Sequence, residues 1–179
     1  MSPQILARRY GMEKMGRTLI TGLALTSLVF AIGFLMASED KDPLYRSIKE
    51  ITYRFQDASV PPEYHRSYTI TIDKDKLKIM VDSYGDILAE KEYQIAKNQF
   101  EGLITSLKEN HIIKVELGDD DGCTGGTSES ISYSNLSKEI FSGTVYHCGG
   151  KDFGNLGGNV KRFAQDIRKI VPDVKKLIY

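Results

Sequence analysis

The 179-residue chain predicts an α+β domain behind an apolar leader, and three observations carry that prediction. Thr18 to Ala37 is a run of 20 residues without a single charge, flanked by basic residues before it and acidic ones after. Tyr68, Ile70 and Ile72 alternate with Thr69 and Thr71, the period of a strand with one wet face. Phe100, Leu103, Ile104 and Leu107 recur at the spacing of an amphipathic helix. The predicted order is ββββ–α–β–ββ–α, a mainly antiparallel sheet with two amphipathic helices on one face.

The leader comes first in the chain. As a helix rising ~1.5 Å per residue, residues 18–37 would span the ~30 Å hydrocarbon core of a bilayer. Arg8, Arg9, Lys14 and Arg17 against Glu13 make residues 1–37 basic, leaving 20 basic and 23 acidic groups over 38–179. This bias places residues 1–17 in the cytoplasm and everything after Ala37 on the far side, periplasmic or cell-surface. Retained anchor and cleaved signal peptide both stay open. The length favours the anchor, while Ala31-Ile32-Gly33 offers a cleavage site. Met12 and Met15 stand just ahead of the run, which leaves residues 1–11 open as an over-long start assignment.

Residues 38–50 read as a linker with one helical turn, capped by Asp42 and opened by Pro43. A single domain follows over 51–179, within the ordinary length of one domain. Ile51, Tyr53 and Phe55 alternate as strand one, and Pro61-Pro62 excludes the next loop from a central strand. Leu77, Ile79 and Val81 return after the turn at Asp73–Lys76. Ser83–Asp86 makes a second turn before a polar strand at 87–95. The helix around Phe100–Leu107 and a short strand at Ile112–Leu117 come next. Residues 128–134 and 139–148 form a hairpin, and a glycine loop runs from Gly149 to Gly158. Asn159 then caps a final helix whose stripe is Val160, Phe163, Ile167, Ile170 and Val171, with a break at Pro172. The last 19 residues carry a net charge of +4.

The two cysteines are expected to pair once exported. A hairpin centred between Leu136 and Ser137 leaves Cys123 and Cys148 two residues out of register, and a bulge at Gly125-Gly126 would align them. The alternative, a reactive Cys148 thiol activated by His147, is disfavoured because neighbours in a strand point to opposite faces.

Zero net charge argues against a nucleic-acid partner. Asp119-Asp120-Asp121-Gly122 lacks the spacing of a calcium loop, and Glu116 adds only a weak divalent candidate. The glycine loop before the last helix lacks the GK[ST] of a phosphate cradle. His65, His111 and His147 share no metal-ligand spacing. No metal and no cofactor are predicted.

One constellation remains. Tyr64, His65 and Arg66 follow a rigid Pro-Pro turn, and Tyr84 and Asp86 occupy a loop that a meander brings to the same end of the sheet. Tyr and Arg are favoured where proteins bind partners. The duller reading is that these tyrosines cap the sheet end while Arg66 pairs with Asp82 or Asp86.

The segments YHRSYTITI, VDSYGD, CTGGT and YHCGG resemble exported bacterial envelope proteins of unknown function, over roughly residues 50–172. The resemblance implies a place in the cell envelope and no activity. The expected function is a membrane-anchored or secreted binding module, taking an envelope protein or a small ligand. The alternatives are a hydrolase using His65 or His147 with Asp86 or Glu129, and a purely structural envelope domain.

Overall fold

The computed structural model describes residues 42–116, 125–136 and 138–179. The leader, the acidic loop at 119–122 and Cys123 lie outside the described residues. No helix among the described residues is long and apolar enough to cross a membrane.

The element order is α1 (Pro43–Ser47), β1 (Glu50–Gln56), β2 (Ser67–Asp73), β3 (Lys76–Ser83), β4 (Asp86–Gln94), α2 (Lys97–Glu109), β5 (Ile113–Lys114), β6 (Thr127–Ser134), β7 (Glu139–Cys148), β8 (Lys151–Gly154), β9 (Leu156–Gly157), α3 (Val160–Ile170) and α4 (Val174–Ile178). Seven strands form one antiparallel sheet in the order β4-β3-β2-β1-β6-β7-β8. Two meanders, β1 to β4 and β6 to β8, therefore share one seam where β1 pairs with β6. The α+β architecture with a mainly antiparallel sheet is as the alternation predicts.

Register explains the core. Ile51 sits opposite Ile72 and Tyr133, Tyr53 opposite Ile70 and Ile131, and Ile70 opposite Ile79. All seven side chains are buried. Phe100, Leu103 and Leu107 of α2 and Phe163, Ala164 and Ile167 of α3 complete the same core. Between the helices a polar clasp forms. Ser106 Oγ donates to Asp166 Oδ2 at 2.8 Å, and Lys169 Nζ donates to Asp166 Oδ1 at 2.7 Å. The Lys169 hydrogen bond is the main reason the Asp166 carboxyl is held below the usual aspartate range. The other sheet face carries Thr52, Thr71, Ser130 and Ser132 in cross-strand register, with diagonal ion pairs Lys76–Glu92 and Lys78–Glu90.

Two local expectations are corrected. The strand expected at 112–117 shortens to Ile113–Lys114 and stays out of the main sheet, pairing with β9 instead. Ile113 is exposed, and Val115 packs where Gly157 lacks a Cβ, so that apolar run has little inward face to extend along. The glycine loop after Cys148 is instead a hairpin: Gly149 and Gly150 both take positive φ (58° and 87°), the requirement of a two-residue type I′ turn. In the β6–β7 hairpin a register shift falls between Tyr133 and Ser134, at the turn end, and the pairing starts at Thr127, after Gly125-Gly126. The Tyr133–Phe141 ring stack, 4.8 Å between centroids, accompanies the observed register there.

Gly158 closes the fold locally. Its φ is +98°, and a Cβ there would collide with the His111 carbonyl, so the chain passes α2 only as glycine. Gly102, inside α2, has nothing within 4 Å of such a Cβ. Gly102→Ala is expected to raise stability by about 0.5–1 kcal/mol. Gly158→Ala is expected to lower it by at least about 1–3 kcal/mol, from strain before the clash is counted. Urea midpoints of the two variants check both signs.

Candidate functional site

The Pro-Pro loop is built from within. Asp57 spends one carboxylate oxygen on the Ala58 amide (2.8 Å) and the other on the Arg66 amide (2.9 Å). Ser67 Oγ accepts the Asp57 amide at 3.0 Å. His65 is fully buried beneath this loop and stacks on Tyr84 at 3.9 Å between ring centroids. Tyr84 occupies the left-handed region (φ 53°) in the β3–β4 turn, and its hydroxyl donates to the Val60 carbonyl. Ser83 Oγ donates to the Pro62 carbonyl at 2.9 Å. The two loops thus meet at one end of the sheet, and His65 and Tyr84 serve as the brace between them. Asp86 opens β4, opposite Ser83.

Arg66 does not pair with Asp82 or Asp86, contrary to that expectation. Asp82 is buried and accepts the Gly85 amide within its own turn. Among the described residues the Arg66 guanidinium donates only to the adjacent His65 carbonyl, at 2.7 Å. Its amide is anchored to Asp57, so the side chain leaves the loop towards the C-terminal helices.

There it meets a cleft of about 770 Å³. One wall is the sheet end, where Phe55 and Tyr68 face each other across β1 and β2 with rings stacked at 5.3 Å. The loop contributes Tyr64 and Arg66. From the other side come Arg168 and Lys169 of α3 and Lys175 and Ile178 of α4. Of the five residues expected to bind, Tyr64 and Arg66 line this cleft; His65, Tyr84 and Asp86 do not.

Sequence spacing alone missed Arg168. Its Nη1 donates to the Tyr68 hydroxyl at 2.9 Å and to the Tyr53 hydroxyl at 3.4 Å. Tyr53 in turn donates to Glu129 Oε1 at 2.8 Å. Burial opposes the Arg168 charge, but the Tyr68 hydrogen bond and the nearby Tyr53 and Glu129 more than offset it, holding the guanidinium above the ordinary arginine value. Burial, then the neighbouring Tyr68 and the Glu129 carboxylate, push the Tyr53 phenol far above the usual tyrosine range. The only trace of this cluster in the sequence is the basic excess of the last 19 residues.

The histidine–carboxylate alternative finds its side chains together. His147 lies 3.7 Å from Glu129 through Nε2 and 2.7 Å from Asp152 through Nδ1. Each ring nitrogen therefore faces a carboxylate, and His147 is not among the residues lining the cleft. His65, packed under Tyr84, does not contact Asp86 in any hydrogen bond or ion pair. Among the described residues no three His, Cys, Asp or Glu side chains converge as a metal set. Comparison with protein-family models, curated proteins and solved structures finds no match.

Tyr53→Phe tests the buried network. It removes the donor to Glu129 and is expected to cost about 1–3 kcal/mol near neutral pH. The folded protein keeps the Tyr53 proton that the unfolded chain gives up above about pH 10, so this stabilisation is full below that pH and falls as pH rises beyond it. Unfolding curves from pH 8 to 11 should therefore decline more steeply for the parent than for Tyr53→Phe.

Proposed function

We propose that the chain is an extracytoplasmic binding module held at, or released from, a membrane by residues 18–37. The observation that carries the reading is the cleft: three cations, Arg66, Arg168 and Lys175, line it without an ion-pair partner among the described residues, beside an aromatic wall. Its size falls within the ~300–1,000 Å³ of small-molecule sites. The charge-free leader and its basic flank support export, and the resemblance to exported envelope proteins belongs to the same reading. Against a hydrolase stands the place of His147 outside the cleft: general acid–base work needs a ring nitrogen within reach of substrate.

A Cys123–Cys148 disulfide is part of this proposal. It would tie the chain before β6 to the end of β7 and stabilise the fold by about 3.5 kcal/mol in the chain-entropy account. Peptide mapping of protein purified from its native host without reductant should recover the linked pair. Two free thiols there would count against export.

The binding reading is tested by a photo-crosslinking residue at position 64 in cells. A discrete adduct is expected, and Arg66→Ala with Lys175→Ala should abolish it while changing stability by no more than about 1 kcal/mol. The same probe at Lys78, on the outer sheet face, serves as control. Equal labelling at both positions, or an adduct indifferent to Arg66 and Lys175, would overturn the reading.

A further inference from the structure

We propose that the cleft takes a small ligand with an oxyanion, carboxylate or phosphate, next to a flat apolar ring, and that Arg168 is the residue that reads the oxyanion. The inference rests on the binding-module reading and deepens it.

Arg168 is placed before any ligand arrives. Its Nη1 is held by two phenol oxygens, while Nε and Nη2 make no hydrogen bond to the described residues. A guanidinium fixed at one nitrogen with the rest of its fork open is suited to bidentate recognition of a planar or tetrahedral oxyanion. The carboxylate most closely connected to it, Glu129, reaches Arg168 only through Tyr53, whose hydroxyl accepts from the arginine and donates to the glutamate. A half-buried cation without a direct counter-ion is costly, and a ligand anion would supply one.

Apart from Asp57, the charged side chains lining the cleft are cationic. Asp57, the acidic residue of the lining, has both oxygens committed to backbone amides. Lys169 is neutralised by Asp166, but Arg66 and Lys175 have no ion pair among the described residues. A bare phosphate would leave most of the space empty. The Phe55–Tyr68 stack and the side chains of Val174 and Ile178 offer an apolar surface for a ring attached to the anion.

The test uses the full chain in phosphatidylcholine nanodiscs and ligand-observed fluorine NMR. The probes are 4-fluorophenyl phosphate, 4-fluorobenzoate and neutral 4-fluorophenol. At least one anionic probe is expected to bind at least about tenfold more tightly than the phenol, and which one is tighter separates phosphate from carboxylate. Arg168→Gln should weaken that binding by about tenfold or more, with Arg168→Lys in between because it keeps charge and loses the fork. Arg168 also bonds Tyr53 and Tyr68, so Lys175→Gln, whose side chain makes no bond to the described residues, gives an independent arm and should weaken the anion several-fold. Phenol binding as tight as the anions, or affinities unmoved by Arg168→Gln and Lys175→Gln, would overturn the oxyanion assignment and leave the binding module standing. No probe binding, with the position-64 adduct still dependent on Arg66 and Lys175, would likewise overturn this inference alone. Loss of both would remove the module as well.

Discussion

Tyr53 is the joint on which the rest of this structure turns. It lies on β1, the strand shared by both meanders, and is fully buried between Ile70 and Ile131. A phenol hydroxyl in that position needs partners, because a buried polar group left unpaired costs on the order of 1–3 kcal/mol. Glu129 on β6 accepts its proton, and Arg168 on α3 donates to its oxygen. One side chain thereby satisfies a buried carboxylate, seats a guanidinium and ties the centre of the sheet to the last long helix.

The sheet divides its labour by face. The inner face is aliphatic and aromatic and receives both long helices, so its burial supplies most of the stabilisation. The outer face carries threonines, serines and lysine–glutamate pairs at half exposure, which are worth little individually in water. Polar contacts therefore matter mainly where they are buried or half-buried: the Tyr53 network, and the Ser106–Asp166 clasp between α2 and α3.

The cleft is assembled from two stretches of chain, 55–68 and 165–179. The 57–66 loop holds Arg66 by anchoring its backbone to Asp57. The end of the inner sheet face supplies Phe55 and Tyr68, and α3 with α4 brings the remaining cations. His65 of this loop and Tyr84 of the β3–β4 turn do not line the cleft: their mutual stack and the Tyr84–Val60 hydrogen bond set where the loop sits. Within one short tripeptide, Tyr64 and Arg66 reach outward while His65 is the pin.

The sequence by itself determined the α+β class, the alternating strands and the amphipathic helices, since these depend on local periodicity and on turn residues near one another in the chain. It also pointed to the loop that carries Tyr64 and Arg66. It could not separate reaching residues from bracing ones, because that depends on which ring packs beneath which loop. Nor could it place the β8 hairpin, whose Gly-Gly turn looks the same on paper as a flexible loop. Arg168 was decided by tertiary structure alone: its partners Tyr68 and Tyr53 lie 100 and 115 residues away, and only the packing of α3 onto the sheet brings a cation from one end of the domain to phenols from the other.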